Sequence, residues 1–76
     1  MVELVRYIAR SLVEKPDAVD VREVETADSI VIELRVDADD MGKVIGKQGR
    51  IAKAIRTVAK SAAARSNRKV IVNIGK

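Results

Sequence analysis

Residues 44 to 51 read Val-Ile-Gly-Lys-Gln-Gly-Arg-Ile and gather two of the chain's four glycines into one short step. Glycine at both ends of a two-residue loop lets another backbone approach without meeting a β-carbon. The amides that open a helix after such a loop carry the positive end of its dipole and suit a phosphate. Lys47 lies inside the step, and Lys43 and Arg50 flank it. Lys53, Arg56 and Lys60 follow at spacings of three and four, which places them on one side of a helix. Val44, Ile45 and Ile51 add apolar atoms on which flat bases can rest. The chemistry open to this group is the clamping of a sugar-phosphate backbone by Gly46, Lys47, Gln48 and Gly49. Gly46 taken alone is also accounted for as a left-handed helix C-cap. That leaves Gly49 unexplained, because Ser, Thr or Asp is the better N-cap for the next helix.

Other chemistries find little support. The chain has no cysteine and no histidine, so disulfides and the common zinc and copper ligand sets are absent. The Asp39-Asp40 pair is accounted for as helix capping, and no serine has a visible base. The stretch Gly-Lys-Val-Ile-Gly-Lys-Gln-Gly lacks the Gly-Lys-Ser/Thr ending of a nucleotide-binding P-loop. A non-catalytic protein without metal or cofactor is expected.

Charge sharpens the expectation. Residues 1–42 hold all eleven carboxylates and five bases, whereas residues 43–76 hold ten bases and no carboxylate. Converging side chains of the second half would present a positive face, the footprint of a polyanion binder.

The elements that must carry this face follow from periodicity. Val2, Val5, Ile8, Ala9, Leu12 and Val13 recur at helical spacing, with Pro16 as the expected stop. In residues 18–25, Val19 and Val21 share a face and Val24 falls on the other, a phase slip that suggests a bulge or a strong twist. Ile30, Ile32, Leu34 and Val36 alternate cleanly, and the polar Thr26–Ser29 connection predicts an antiparallel hairpin. Asp37, Asp39 and Asp40 read as caps and first-turn acids of a short helix over 40–45. A long helix over 50–65 carries an apolar stripe of Ile51, Ile55, Val58, Ala59 and Ala62. Val70, Val72 and Ile74 then make a closing strand. The order α-β-β-α-α-β, with a three-stranded sheet covered by helices on one face, is a two-layer α+β fold in a single domain over 1–76.

Val44-Ile45-Gly46-Lys47-Gln48-Gly49, followed by Ile51 and set between two helices, resembles the hallmark of the KH domains. The element order is similar to the type II arrangement of that family, and the resemblance spans the whole chain, as in small bacterial proteins built of one KH domain. It implies binding of single-stranded RNA, with the loop clamping about four nucleotides. It also implies pairing, as a homodimer or as a heterodimer with a larger KH-domain protein. Ile71, on the side of the last strand opposite the core, is an apolar residue that a partner would cover, although a lone exposed one is ordinary. The rival expectation is a protein-interaction or scaffold module whose glycine loop is only a turn; the missing aromatic platform and the apolar first helix favour it. No apolar run approaches the roughly 20 residues of a membrane span, and a cytoplasmic location is expected.

Overall fold

Apolar residues at three- and four-residue spacing form a helix where they are expected. In the computed structural model, which describes residues 1–76, helix α1 spans Val2–Leu12 and buries Val5 and Ala9. It stops before Pro16 comes into play. Val13 is already extended, with φ −94° and ψ 161°. The amides of Glu14 and Lys15 then donate to Asp40, at 3.2 Å to Oδ1 and 3.0 Å to Oδ2. Pro16 instead opens a 3-10 turn, Pro16–Ala18, where its missing N–H costs nothing.

Strands β1 (Asp20–Glu25) and β2 (Ser29–Arg35) form the antiparallel hairpin. Thr26 closes it: its amide donates to the Ser29 carbonyl at 2.8 Å, and its Oγ1 accepts from the Ser29 amide at 3.0 Å. The expected bulge is absent. The register runs unbroken from Asp20↔Arg35 to Glu25↔Ile30, so Val24 simply lies on the outer face opposite Val31. Strand β3 (Lys69–Gly75) pairs with β2 in parallel, which makes β2 central in a sheet of order β1-β2-β3.

A parallel pair needs a long crossover. Here it contains α2 (Met41–Ile45) and α3 (Arg50–Ala62), so the glycine step lies inside the connection between paired strands. Helix α3 ends three residues earlier than the apolar pattern suggests, and a 3-10 turn, Ala64–Ser66, leads to Asn67 at φ 58°. The alternating residues Ile30, Ile32, Leu34, Val70 and Val72 pack against Val5, Ala9, Val44, Ile55 and Ala59 in one core. Helices therefore cover one face of the sheet, as the order of elements predicts. On the other face Val24, Val31 and Ile71 form a row across the three strands.

Among these buried residues, Asp40 is the one that carries charge, and it is 1% exposed. Asp37 is the cap the sequence predicts, accepting from the Asp39 amide at 2.9 Å. Asp40 is not: its carboxylate turns away from its own helix to hold the end of α1. Burial pushes the Asp40 carboxyl up. The Glu14 and Lys15 amides, with the Lys43 and Lys15 charges, more than reverse this and hold it below the usual carboxylate range. Lys43 Nζ lies 3.7 Å from Oδ1. Lys15 also bonds Asp39 at 3.2 Å and Asp37 at 3.5 Å; chiefly the Asp39 bond raises its ammonium above the ordinary range.

A carboxyl whose folded pKa is depressed stabilises the fold above its unfolded pKa of about 4, and that contribution fades as pH falls through the folded value. Asp40→Asn should therefore lower the melting temperature near neutral pH. The gap from the parent should narrow steadily below about pH 4. Thermal melts across that range check both; a gap of constant size down to strong acid would exclude the carboxylate charge as its source.

Candidate functional site

Helix α2 has only five residues and closes on Gly46, whose amide donates to the Gly42 carbonyl at 2.9 Å. Gly46 itself is not a left-handed cap. Its φ of 77° and ψ of 173° put it in a region open almost only to glycine. A β-carbon there would lie 2.6 Å from Ile51 Cγ1 and 2.9 Å from Ile51 Cβ. The bareness of Gly46 thus serves a close contact within the chain, between the end of α2 and the start of α3.

Left-handed geometry comes later in the step, at Gln48 (φ 57°, ψ 25°) and Gly49 (φ 74°, ψ 14°). The Gly49 amide donates to the Gly46 carbonyl at 3.1 Å, and the Arg50 amide to the Lys47 carbonyl. No backbone carbonyl takes the amides of Lys47 and Gln48. Around Gly49 the space is open, with nothing within 4 Å of a notional β-carbon. Of the two glycines, Gly49 is the one that presents bare backbone outward.

The sequence-predicted residues separate into distinct positions. Lys47, Gln48, Arg50 and Lys53 are exposed. The three cations among them enter none of the chain's ion pairs. Lys43 is different, because its Nζ is 3.2 Å from Glu14 Oε1 in addition to its contact with Asp40. Val44 is fully buried, so it supports the step from beneath and offers no surface to a base. Ile45 is half-buried. Ile51 is half-buried too, but it fills the space under Gly46 and faces α1.

Helix α3 explains that separation. At about 100° per residue, Ile51 and Lys53 stand roughly 200° apart around the axis. Ala52, Ile55 and Ala59 point inward, joined by Ala63 just beyond the helix. The expected stripe is therefore rotated: Val58 is 37% exposed, and Ala62 is exposed as well. One flank of the inward face bears Lys53, Arg56 and Lys60, and Arg56 Nε donates to the Val72 carbonyl of β3 at 3.3 Å. The other flank bears Ile51, Ala54 and Val58. With Ile8 of α1, the edge of Ile55 and the Arg50 side chain, these residues line a largely apolar cleft of about 210 Å3. Counting helical angles alone would have separated the two flanks. No sequence signal marked Asp40 as the tie to α1, because its partners are backbone amides 25 and 26 residues earlier.

Comparison with known proteins agrees with this architecture. Residues 2–74 match the family model for the KhpA/KhpB KH domain. The chain is 64% identical over 74 residues to the RNA-binding protein KhpA of Clostridium perfringens, covering 97% of this chain and 99% of that one. It is 47% identical over 74 residues to the protein of the same name from Chlamydia trachomatis, covering 97% and 95%. Among solved structures it is similar to Era in complex with MgGDPNP and nucleotides 1506–1542 of 16S ribosomal RNA. That similarity has a TM-score of 0.64 and 27% identity, and covers 97% of this chain but 28% of the Era chain.

The two glycines should respond differently to a methyl group. Gly46→Ala meets both a forbidden conformation and Ile51, and should cost about 3 kcal/mol or more. Gly49→Ala enters open space and should cost about 1 kcal/mol, the left-handed penalty alone. Urea unfolding of the two variants measures the difference, and equal losses would contradict the assignment.

Proposed function

The chain belongs to the KhpA/KhpB KH-domain family, and on that premise we propose that it is an RNA-binding protein whose Gly46-Lys47-Gln48-Gly49 step holds the sugar-phosphate backbone of single-stranded RNA. The observation that carries this proposal is the pairing of an open glycine with unneutralised cations. Gly49 leaves its surroundings empty, and Lys47, Arg50 and Lys53 have no carboxylate partner. A phosphate brought to the Lys47 and Gln48 amides meets positive charge on either side and no acid. Lys43 acts at one remove by holding Asp40, and with it α2. Val44 and Ile51 fix the step from below, and Ile45 is the apolar surface left for a base.

The function is binding, with no catalytic step. Tyr7, the sole aromatic, is 73% exposed on α1, so stacking adds little at the loop and the affinity of one copy is modest. Pairing would compensate through effective concentration. We propose that the domain pairs with a second copy or with a larger KH-domain protein, through the apolar flank of α3. Its support is the cleft of Ile8, Ile51, Ala54 and Val58, which continues along α1 to the part-exposed Leu4 and Leu12. Arg50 stands at the rim of that cleft, whereas Lys53, Arg56 and Lys60 lie on the opposite flank of α3, so a partner seated there leaves those three cations free for RNA. No helix is long and apolar enough to cross a membrane, and we place the activity in the cytoplasm.

Lys47→Asp with Gln48→Asp should abolish RNA binding in a mobility-shift assay while fold and self-association stay unchanged. Retained binding would overturn the clamp in favour of a loop that is only a turn. For the parent, contact with three or four phosphates gives a log–log salt slope of roughly −2 to −3 on single strands. Val58→Asp should yield a monomer by sedimentation and weaken RNA binding to the level of a single loop. A variant that still sediments as a pair would rule out this flank.

A further inference from the structure

Arg56 stands outside the glycine step, and its position differs from that of the lysines beside it. It reaches from α3 to β3, where its Nε donates to the Val72 carbonyl. The Lys69 amide donates to Asp28, and the Gly75 carbonyl accepts from Val36, so the odd-numbered residues of β3 face inward to β2. Val70, Val72 and Ile74 consequently turn their peptide groups to the outer edge, where the sheet ends. Arg56 is thus fastened over a row of peptide groups that no further strand covers. With Nε engaged, both Nη groups remain as donors. The arginines that find carboxylates are Arg6, Arg22, Arg35 and Arg68, and Arg56 is not among them.

A fixed, planar guanidinium differs from the point charges of Lys53 and Lys60. Its parallel N–H donors match the N7 and O6 acceptors of guanine, whereas adenine presents an amino donor in place of O6. Arg56 lies six residues after Arg50, about 9 Å along the helix. That is within reach of a strand of about four nucleotides held at the loop. We infer that Arg56 is a specificity-determining residue that reads the Hoogsteen edge of a guanine laid against the outer edge of β3. This rests on the RNA-binding proposal and adds a base preference to it.

Fluorescence anisotropy with three single-stranded RNA octamers tests the inference: alternating guanine–uracil, adenine–uracil, and 7-deazaguanine–uracil, which lacks N7. The parent should prefer the guanine octamer over the other two by about 5-fold or more. Arg56→Gln should bring the three affinities together. Arg56→Lys, which keeps the charge without the fork, should do the same and leave the salt slope unchanged. A parent without guanine preference would overturn the inference. So would an Arg56→Gln variant that weakens all three octamers equally with a slope shallower by about 0.7, which would identify a phosphate contact. A lower melting temperature with the preference intact would leave Arg56 as a strut between α3 and β3. The loop double variant separates this inference from its premise. If that variant loses all three octamers while Arg56→Gln behaves as the parent, only the role of Arg56 fails; if it binds as the parent does, the RNA-binding clamp itself fails.

Discussion

The buried carboxylate of Asp40 is the contact on which the rest of the arrangement depends. A five-residue helix cannot hold itself in water, because so few turns do not offset the cost of nucleation. Helix α2 persists because both of its ends are anchored elsewhere. Val44 is sunk in the core, and Asp40 binds two amides that α1 leaves free where it ends. Those amides lie at a part-buried junction, and the carboxylate takes both of them at once. One side chain therefore ties the end of α1 to the start of α2 and fixes the platform from which the glycine step projects.

From that platform the two glycines divide two tasks. Gly46 lets the chain fold tightly onto Ile51, and Gly49 keeps the outer surface bare. Helix α3 then carries different kinds of side chain around its axis. Its inward residues are small, mostly alanine, which lets the helix lie close to the sheet. Its charged flank leans on the edge of β3, and its apolar flank forms a cleft with α1. A short chain thus carries a charged surface and an apolar one on a single helix without a second core.

Much of this was legible in the sequence because it depends on local periodicity. Alternation at Ile30, Ile32 and Leu34 marked the second strand of the hairpin, and the absence of acids after Gly42 pointed to a positive face. What escaped depends on contacts distant along the chain. Pro16 looked like the end of α1, but the amides taken by Asp40 end it sooner. Val24 looked like a bulge, yet it is an exposed residue in regular register, because an edge strand on an open sheet face need not alternate strictly. Ile51 looked like part of a floor for bases. Its true neighbour, the missing side chain of Gly46, cannot be seen by reading residue types.

The parallel pairing of β2 with β3 has a consequence for how the molecule comes into being. The hairpin of β1 and β2 forms between neighbours in the chain, but β3 can join β2 only after residues 36–68 have been drawn across the sheet. Closing so long a loop is entropically expensive and slow compared with making a hairpin or a helix turn. The glycine step and both flanks of α3 lie within that closing segment. They take up their final relation to the edge of β3 only when the last strand docks, so a chain growing from its N-terminus contains the whole loop sequence well before loop, helix flank and strand edge stand side by side.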